Sequence, residues 1–117
     1  MPPKRRDPVA VAAAVAAVLD GTATRPQLAL AVRGLAERLA ADVPGAHVEV
    51  RVPPYSAVQC VAGPRHTRGT PPNVVEVQPL AFVELCTGRL AWADAARDGR
   101  VTTWGDRADL SAHLPLG

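Results

Sequence analysis

His47-Val48-Glu49-Val50-Arg51-Val52-Pro53-Pro54-Tyr55-Ser56-Ala57-Val58-Gln59-Cys60-Val61-Ala62 is the stretch that decides the fold class. At its start Val48, Val50 and Val52 alternate with His47, Glu49 and Arg51. A period of two marks a strand with one face against a core and the other toward water. Pro53 to Ser56 reads as a turn, and Ala57 to Ala62 as the antiparallel partner.

Toward the N-terminus the period changes to that of a helix. Leu28, Val32, Leu35 and Leu39 recur at helical spacing between Thr24 and Ala41, with Arg33, Glu37 and Arg38 between them and Pro44 as the breaker. Before that, Asp7 and Pro8 sit where an N-cap and a first-turn proline belong, and Gly21 ends a helix from Pro8 to Leu19. Val11, Val15, Val18 and Leu19 form its apolar stripe. Residues 1–7 carry Lys4-Arg5-Arg6 and read as a basic flexible tail.

Toward the C-terminus, Gly63 to Pro72 reads as a loop and Asn73 to Val77 as a third strand. Pro79 opens a short helix closed by Gly88, and Ala91 to Asp98 forms another, closed by Gly99. Arg100 to Trp104 is a fourth strand. Asp106, with Asp109 three residues on, is expected to cap a last helix. The expected fold is α+β, with one domain over residues 1–117. The sheet is predicted to carry His47, Glu49, Arg51, Gln59 and Glu76 toward water and to be covered by helices on its aliphatic face.

Composition limits the function classes. The net charge is +2, and the arginines are scattered among acids rather than forming a basic stripe with interleaved aromatics, so nucleic acid is not an expected partner. The apolar N-terminal stretch is alanine-rich and shorter than the roughly 20 residues that span a bilayer, so no transmembrane segment or export signal is expected. The expected location is cytoplasmic. Cys60 and Cys86 lie apart in apolar runs and form no CxxC pair, which reads as two buried free thiols. No metal spacing, phosphate-cradling glycine motif or nucleophile elbow occurs, so neither catalysis nor a cofactor is expected.

Two segments stand out as candidate binding elements. Arg65-His66-Thr67-Arg68-Gly69-Thr70 places two guanidiniums, an imidazole and two hydroxyls on one loop, a group that suits a carboxylate or phosphate. Pro79 to Leu90 is apolar on nearly all sides, through Leu80, Phe82, Val83, Leu85 and Cys86. Such a helix is either fully buried or faces a second apolar partner.

The run Ala81-Phe82-Val83-Glu84-Leu85-Cys86-Thr87-Gly88-Arg89-Leu90, then Gly99-Arg100-Val101, Gly105-Asp106 and Leu110, resembles the sterol carrier protein pattern. That pattern is a short helix ending in Gly-Lys/Arg-Leu, a second ending in Gly-Lys/Arg, a strand, a glycine and a final leucine-bearing helix. The whole chain is similar to stand-alone sterol carrier family proteins of actinobacteria. The resemblance implies a mostly antiparallel sheet of about five strands covered on one face by helices, with an apolar tunnel between the layers. It implies non-catalytic binding or transfer of a fatty acyl, sterol-like or other hydrophobic ligand, without cofactor. Combined with the two segments above, it puts the apolar chain of a ligand beside Phe82, Val83, Leu85 and Trp104, and an anionic head on Arg65, His66 and Arg68. The alternative is a protein-interaction or enzyme-accessory module with a closed cavity, binding a protein partner or a second copy of the chain.

Overall fold

The computed structural model describes residues 6–63 and 73–117. Helix α1 (Pro8–Asp20) and helix α2 (Arg25–Asp42) form a hairpin, followed by strands β1 (Val48–Val52), β2 (Ser56–Cys60) and β3 (Val74–Val77). Helices α3 (Pro79–Thr87) and α4 (Trp92–Arg97) and strand β4 (Val101–Trp104) complete the regular elements.

The start and stop signals work as side-chain chemistry. The Asp7 carboxylate accepts a hydrogen bond from the Val9 N–H, and Gly21, at φ 75°, ends α1 in the left-handed conformation. Thr24 and Gln27 cap α2 reciprocally: the Gln27 N–H donates to Thr24 Oγ1 at 3.3 Å, and the Thr24 N–H donates to Gln27 Oε1 at 2.9 Å. The two helices meet where Gly34 leaves no room, since a Cβ there would come within 2.6 Å of a Val11 methyl.

The sheet has the order β2-β1-β3-β4. β1 pairs antiparallel with β2, through Val48↔Cys60 to Val52↔Ser56. It pairs parallel with β3, through Val50↔Val75 and Arg51↔Glu76, and β3 pairs antiparallel with β4. The sheet is therefore mixed and has four strands among the described residues, where the sequence reading expected about five, mostly antiparallel. The physical reason lies in the connection: β1 and β3 are joined through β2 and a long crossover rather than a tight turn, and such a connection permits parallel pairing.

Val48, Val50, Val52, Val75 and Val77 point to the covered face and are buried with Val32, Leu35 and Leu39 of α2 and Phe82, Val83 and Leu85 of α3. Two further expectations are corrected. The segment after Gly105 forms turns instead of a helix, because Asp109 spends its carboxylate on the Ser111 N–H at 2.8 Å in a local turn. Leu110 alone of that segment's leucines is fully buried. His47, expected on the wet face, is 8% exposed and buried.

His47 is buried because Asn73 covers it. The Asn73 amide nitrogen donates to His47 Nε2 at 3.2 Å and to the His47 carbonyl at 3.1 Å, while its Oδ1 accepts from the Arg107 N–H at 2.8 Å. The Asn73 carbonyl in turn accepts from the Glu49 N–H at 2.9 Å. Nearby, Val61 sits at φ 67°, unusual for a β-branched residue, and is held there by Val61 N–H donating to the Val43 carbonyl and His47 N–H donating to the Val61 carbonyl. Gly45, at φ 144°, lies so close that a Cβ would come within 2.1 Å of the Val61 carbonyl oxygen.

Leu39→Ala should lower unfolding stability by roughly 2–5 kcal/mol, because Leu39 is fully enclosed between helix and sheet. Asn73→Asp should cost at least about 2 kcal/mol, since it sets an acceptor against the His47 carbonyl where a donor stood. Urea denaturation of each variant checks both.

Candidate functional site

A groove of about 760 Å³ lies between α1, the C-terminal half of α2 and the end of α3. Val11, Ala12 and Val15 of α1 form one wall, and Leu35, Arg38 and Ala41 of α2 the other. Cys86, Thr87 and Leu116 complete the lining. The C-terminal segment is held there by the Leu116 N–H donating to the Cys86 carbonyl at 3.0 Å.

The groove is amphipathic. Arg6, Glu37, Arg38 and Asp42 gather at one end, where α1 begins and α2 finishes. Arg6 pairs with Glu37, and Arg38 with Asp42 at 3.4 Å. Val15 and Leu35 line the part farther from those charges along the helices. The small side chains of Ala12 and Ala41 leave space between the helices on either side of the close contact at Gly34.

The residues singled out from the sequence fall in three places. Phe82, Val83 and Leu85 are enclosed in the core between the sheet and the helices, and none of them lines the groove. The near-all-apolar character of α3 thus reflects burial from several sides: its Ala81 and Cys86 are buried as well, and only Leu80 among its large apolar residues is well exposed. Trp104 is 51% exposed and stands opposite Val74 in the sheet. Its register puts it on the face of Thr102, Glu76 and Arg51, away from Phe82, Val83 and Leu85. Arg65, His66 and Arg68 lie outside the described residues. The groove draws on the apolar stripes of the first two helices, which sequence reading did not single out as a binding element.

No group of acidic, histidine or cysteine side chains among the described residues could hold a metal ion. No single described helix is long and apolar enough to cross a membrane.

Both cysteines are free and buried. Burial pushes the Cys60 thiol from an ordinary 9.0 up to about 11. Burial also pushes the Cys86 thiol up to about 12, against the opposing pull of the Arg38 guanidinium. Neither thiol is an activated nucleophile at neutral pH.

Residues 24–116 match the model of a protein family described as bacterial SCP ortholog. A search of curated proteins gives no match.

The raised thiol pKa values give the stability a defined alkaline limb. The unfolded chain loses these protons near pH 9, while the folded chain keeps them to about 11 and about 12. Above pH 9 the unfolded state therefore binds fewer protons, and stability falls as pH rises. The urea midpoint should drop between about pH 8 and about pH 10.5, and the drop should shrink in Cys60→Ala and Cys86→Ala.

Proposed function

Because the chain belongs to the bacterial sterol carrier protein family, we propose that it binds and carries a hydrophobic ligand, fatty acyl or sterol-like, without transforming it. The observation that carries this reading is the amphipathic groove, whose volume of about 760 Å³ falls in the range of small-molecule sites. The ligand's apolar portion lies along Val11, Val15 and Leu35, over Leu116. Burying ten methylenes contributes roughly 8 kcal/mol gross. Association costs several kcal/mol of that, which leaves micromolar affinity from the chain alone.

The loop cations Arg65, His66 and Arg68 form a second element of the proposal. They take an anionic head group, adding about 1.5–3 kcal/mol for a charge-assisted hydrogen bond. Phe82, Val83 and Leu85 back the binding layer from the core rather than line the groove, so an acyl chain reaches them only by displacing core packing. Trp104, on the opposite sheet face, serves as the internal reference in fluorescence experiments rather than as a contact.

The test uses a 16-carbon fatty acid and the alcohol of equal length, read by thermal shift and by native mass spectrometry. Both ligands should bind the parent protein one to one. Ala12→Trp introduces bulk at an exposed position of the groove wall and should abolish both complexes while leaving the fold intact. Replacing Arg65 and Arg68 by Gln should weaken the acid by roughly tenfold to a few hundredfold and spare the alcohol. Equal binding to the Ala12→Trp variant overturns the groove as the site. Absence of any binding favours an interaction module with a closed cavity.

A further inference from the structure

No backbone hydrogen bond ties α1 to another element among the described residues. The bonds at its C-terminal end are its own: the Gly21 N–H donates to the Val18 carbonyl at 3.1 Å, and the Thr22 N–H to the Ala17 carbonyl at 2.9 Å. Asp7 caps the other end from within the same segment. The reciprocal cap of Thr24 and Gln27 likewise belongs to α2 alone. Ala23 therefore stands between two self-contained helices, and a rotation there costs neither of them a hydrogen bond.

Packing and one ion pair hold α1 in place. Its fully buried side chains are Ala14 and Val18, both small, while α2 buries Val32, Leu35 and Leu39. α1 packs chiefly on α2 and α3. The Arg6–Glu37 pair is partly exposed, and such pairs contribute little. The C-terminal segment, which also walls the groove, is fastened differently. Its Leu116 N–H donates to the Cys86 carbonyl, and its Arg107 N–H to Asn73 Oδ1. Of these two walls, α1 is the one that can move without losing a backbone hydrogen bond.

The lever is long. Pro8, Val11, Ala12 and Val15, which line the groove, occupy the part of α1 farthest from Ala23. At 1.5 Å per residue Val11 lies about 18 Å along the helix from Ala23, so a rotation of about 10° carries it about 3 Å. The closed position is set where Val11 meets Gly34. Cys86, which lines the groove, is buried in that position.

We propose that α1 is the gate of the groove, turning as a rigid unit about Ala23 so that an apolar ligand can enter and leave beside Val11. The role rests on the groove being the ligand site, whereas the motion itself is readable in the ligand-free protein.

Pulse labelling with N-ethylmaleimide at neutral pH, resolved by peptide mass spectrometry across a low-urea series, follows the motion at Cys86. The parent protein should label there through an opening that depends weakly on urea and outpaces global unfolding. Labelling with the full urea dependence of global unfolding overturns the gate. Gly34→Ala sets a methyl 2.6 Å from Val11 Cγ1 and 2.8 Å from Cγ2. It should wedge α1 outward and raise the Cys86 rate roughly tenfold to a hundredfold, with the urea dependence still weak. Adding Val11→Ala removes both γ-methyls and should return the rate toward that of the parent. A folded Gly34→Ala variant that labels no faster than the parent overturns the gate as well.

Should Gly34→Ala fail to fold, a tether decides. A Cβ at Gly34 lies 3.3 Å from Val11 Cβ, close to the spacing of a disulfide, so Val11→Cys with Gly34→Cys can be oxidised across the two helices. Oxidation should slow Cys86 labelling at least about tenfold relative to the reduced form, and an unchanged rate overturns the gate. A 16-carbon fatty acid then separates the two readings. If it binds the tethered protein as fast as the parent, the gate fails and the ligand site stands. If Cys86 opens as described and the acid binds neither form, the motion of α1 stands and the ligand site fails.

Discussion

Parallel pairing of β1 with β3 is the constraint on which the rest of the structure depends, and one buried amide holds it in place. Asn73 stands at the point where the chain re-enters the sheet beside the start of β1. Its Oδ1 faces the Arg107 N–H, which fixes the amide orientation and commits the nitrogen to donate. The two amide hydrogens then go to the His47 carbonyl and to His47 Nε2, so every hydrogen-bonding position the side chain needs inside the protein is used. The ring nitrogen that accepts is Nε2, which leaves the proton on Nδ1, and Nδ1 has no partner among the described residues. A Cβ at Gly63 would lie 2.6 Å from that Nδ1, so the backbone there approaches the ring as only glycine allows. β1, β3 and the C-terminal segment are thereby tied at a single corner.

With the parallel pair fixed, the chain leaves β3 on the side where α1 and α2 already lie, and α3 fills the space between them and the sheet. This explains why α3 is apolar around nearly its whole circumference. It packs against both helices and shares one core with Val50, Val75 and Val77. The Gly88 cap ends it through the Arg89 N–H donating to the Glu84 carbonyl at 2.9 Å, and the C-terminal segment closes over its last turn. The helical layer is thus an assembly of small contacts: Gly34 against Val11, alanines along α1 and α2, and valines beneath. Such surfaces approach closely but leave a channel where neither side supplies a large side chain.

Much of this was legible in the sequence because hydrophobic period is a local property. The alternation of Val48, Val50 and Val52 placed β1 within a residue, and the Asp7, Thr24 and Gly88 signals placed three helix ends nearly as well. Pairing direction was not legible, because it depends on where a crossover delivers the next strand, and no local period encodes that. His47 was misread for a related reason. It is in phase with Glu49 and Arg51, but the partner that covers it comes from Asn73, a residue distant in sequence. Asp106 and Asp109 looked like a helix start, yet the Asp109 carboxylate accepts from the Ser111 N–H in a local turn. For the site, the apolar quality of α3 was visible but its cause was not. The sequence marks a helix as apolar on several sides without saying whether protein or ligand covers them.

The groove draws on two parts of the chain that stand differently toward the family. The family match begins at residue 24, so it covers α2, α3 and the C-terminal segment, which provide Leu35, Arg38, Cys86 and Leu116. The opposite wall, with Val11, Ala12 and Val15, belongs to α1 and precedes the match. α1 is not held by sheet pairing; it is attached through side-chain packing on α2 and α3 and through the Arg6–Glu37 ion pair. An exposed ion pair of that kind contributes little, about 0–1 kcal/mol, so the attachment rests on Ala14, Val18 and the close approach at Gly34. Opening between α1 and α2 can therefore widen the groove without breaking a single strand hydrogen bond. α2 packs on the sheet as well as on the other helices, while α1 packs chiefly on α2 and α3, and that is the asymmetry a site needs if it is to admit and release an apolar ligand.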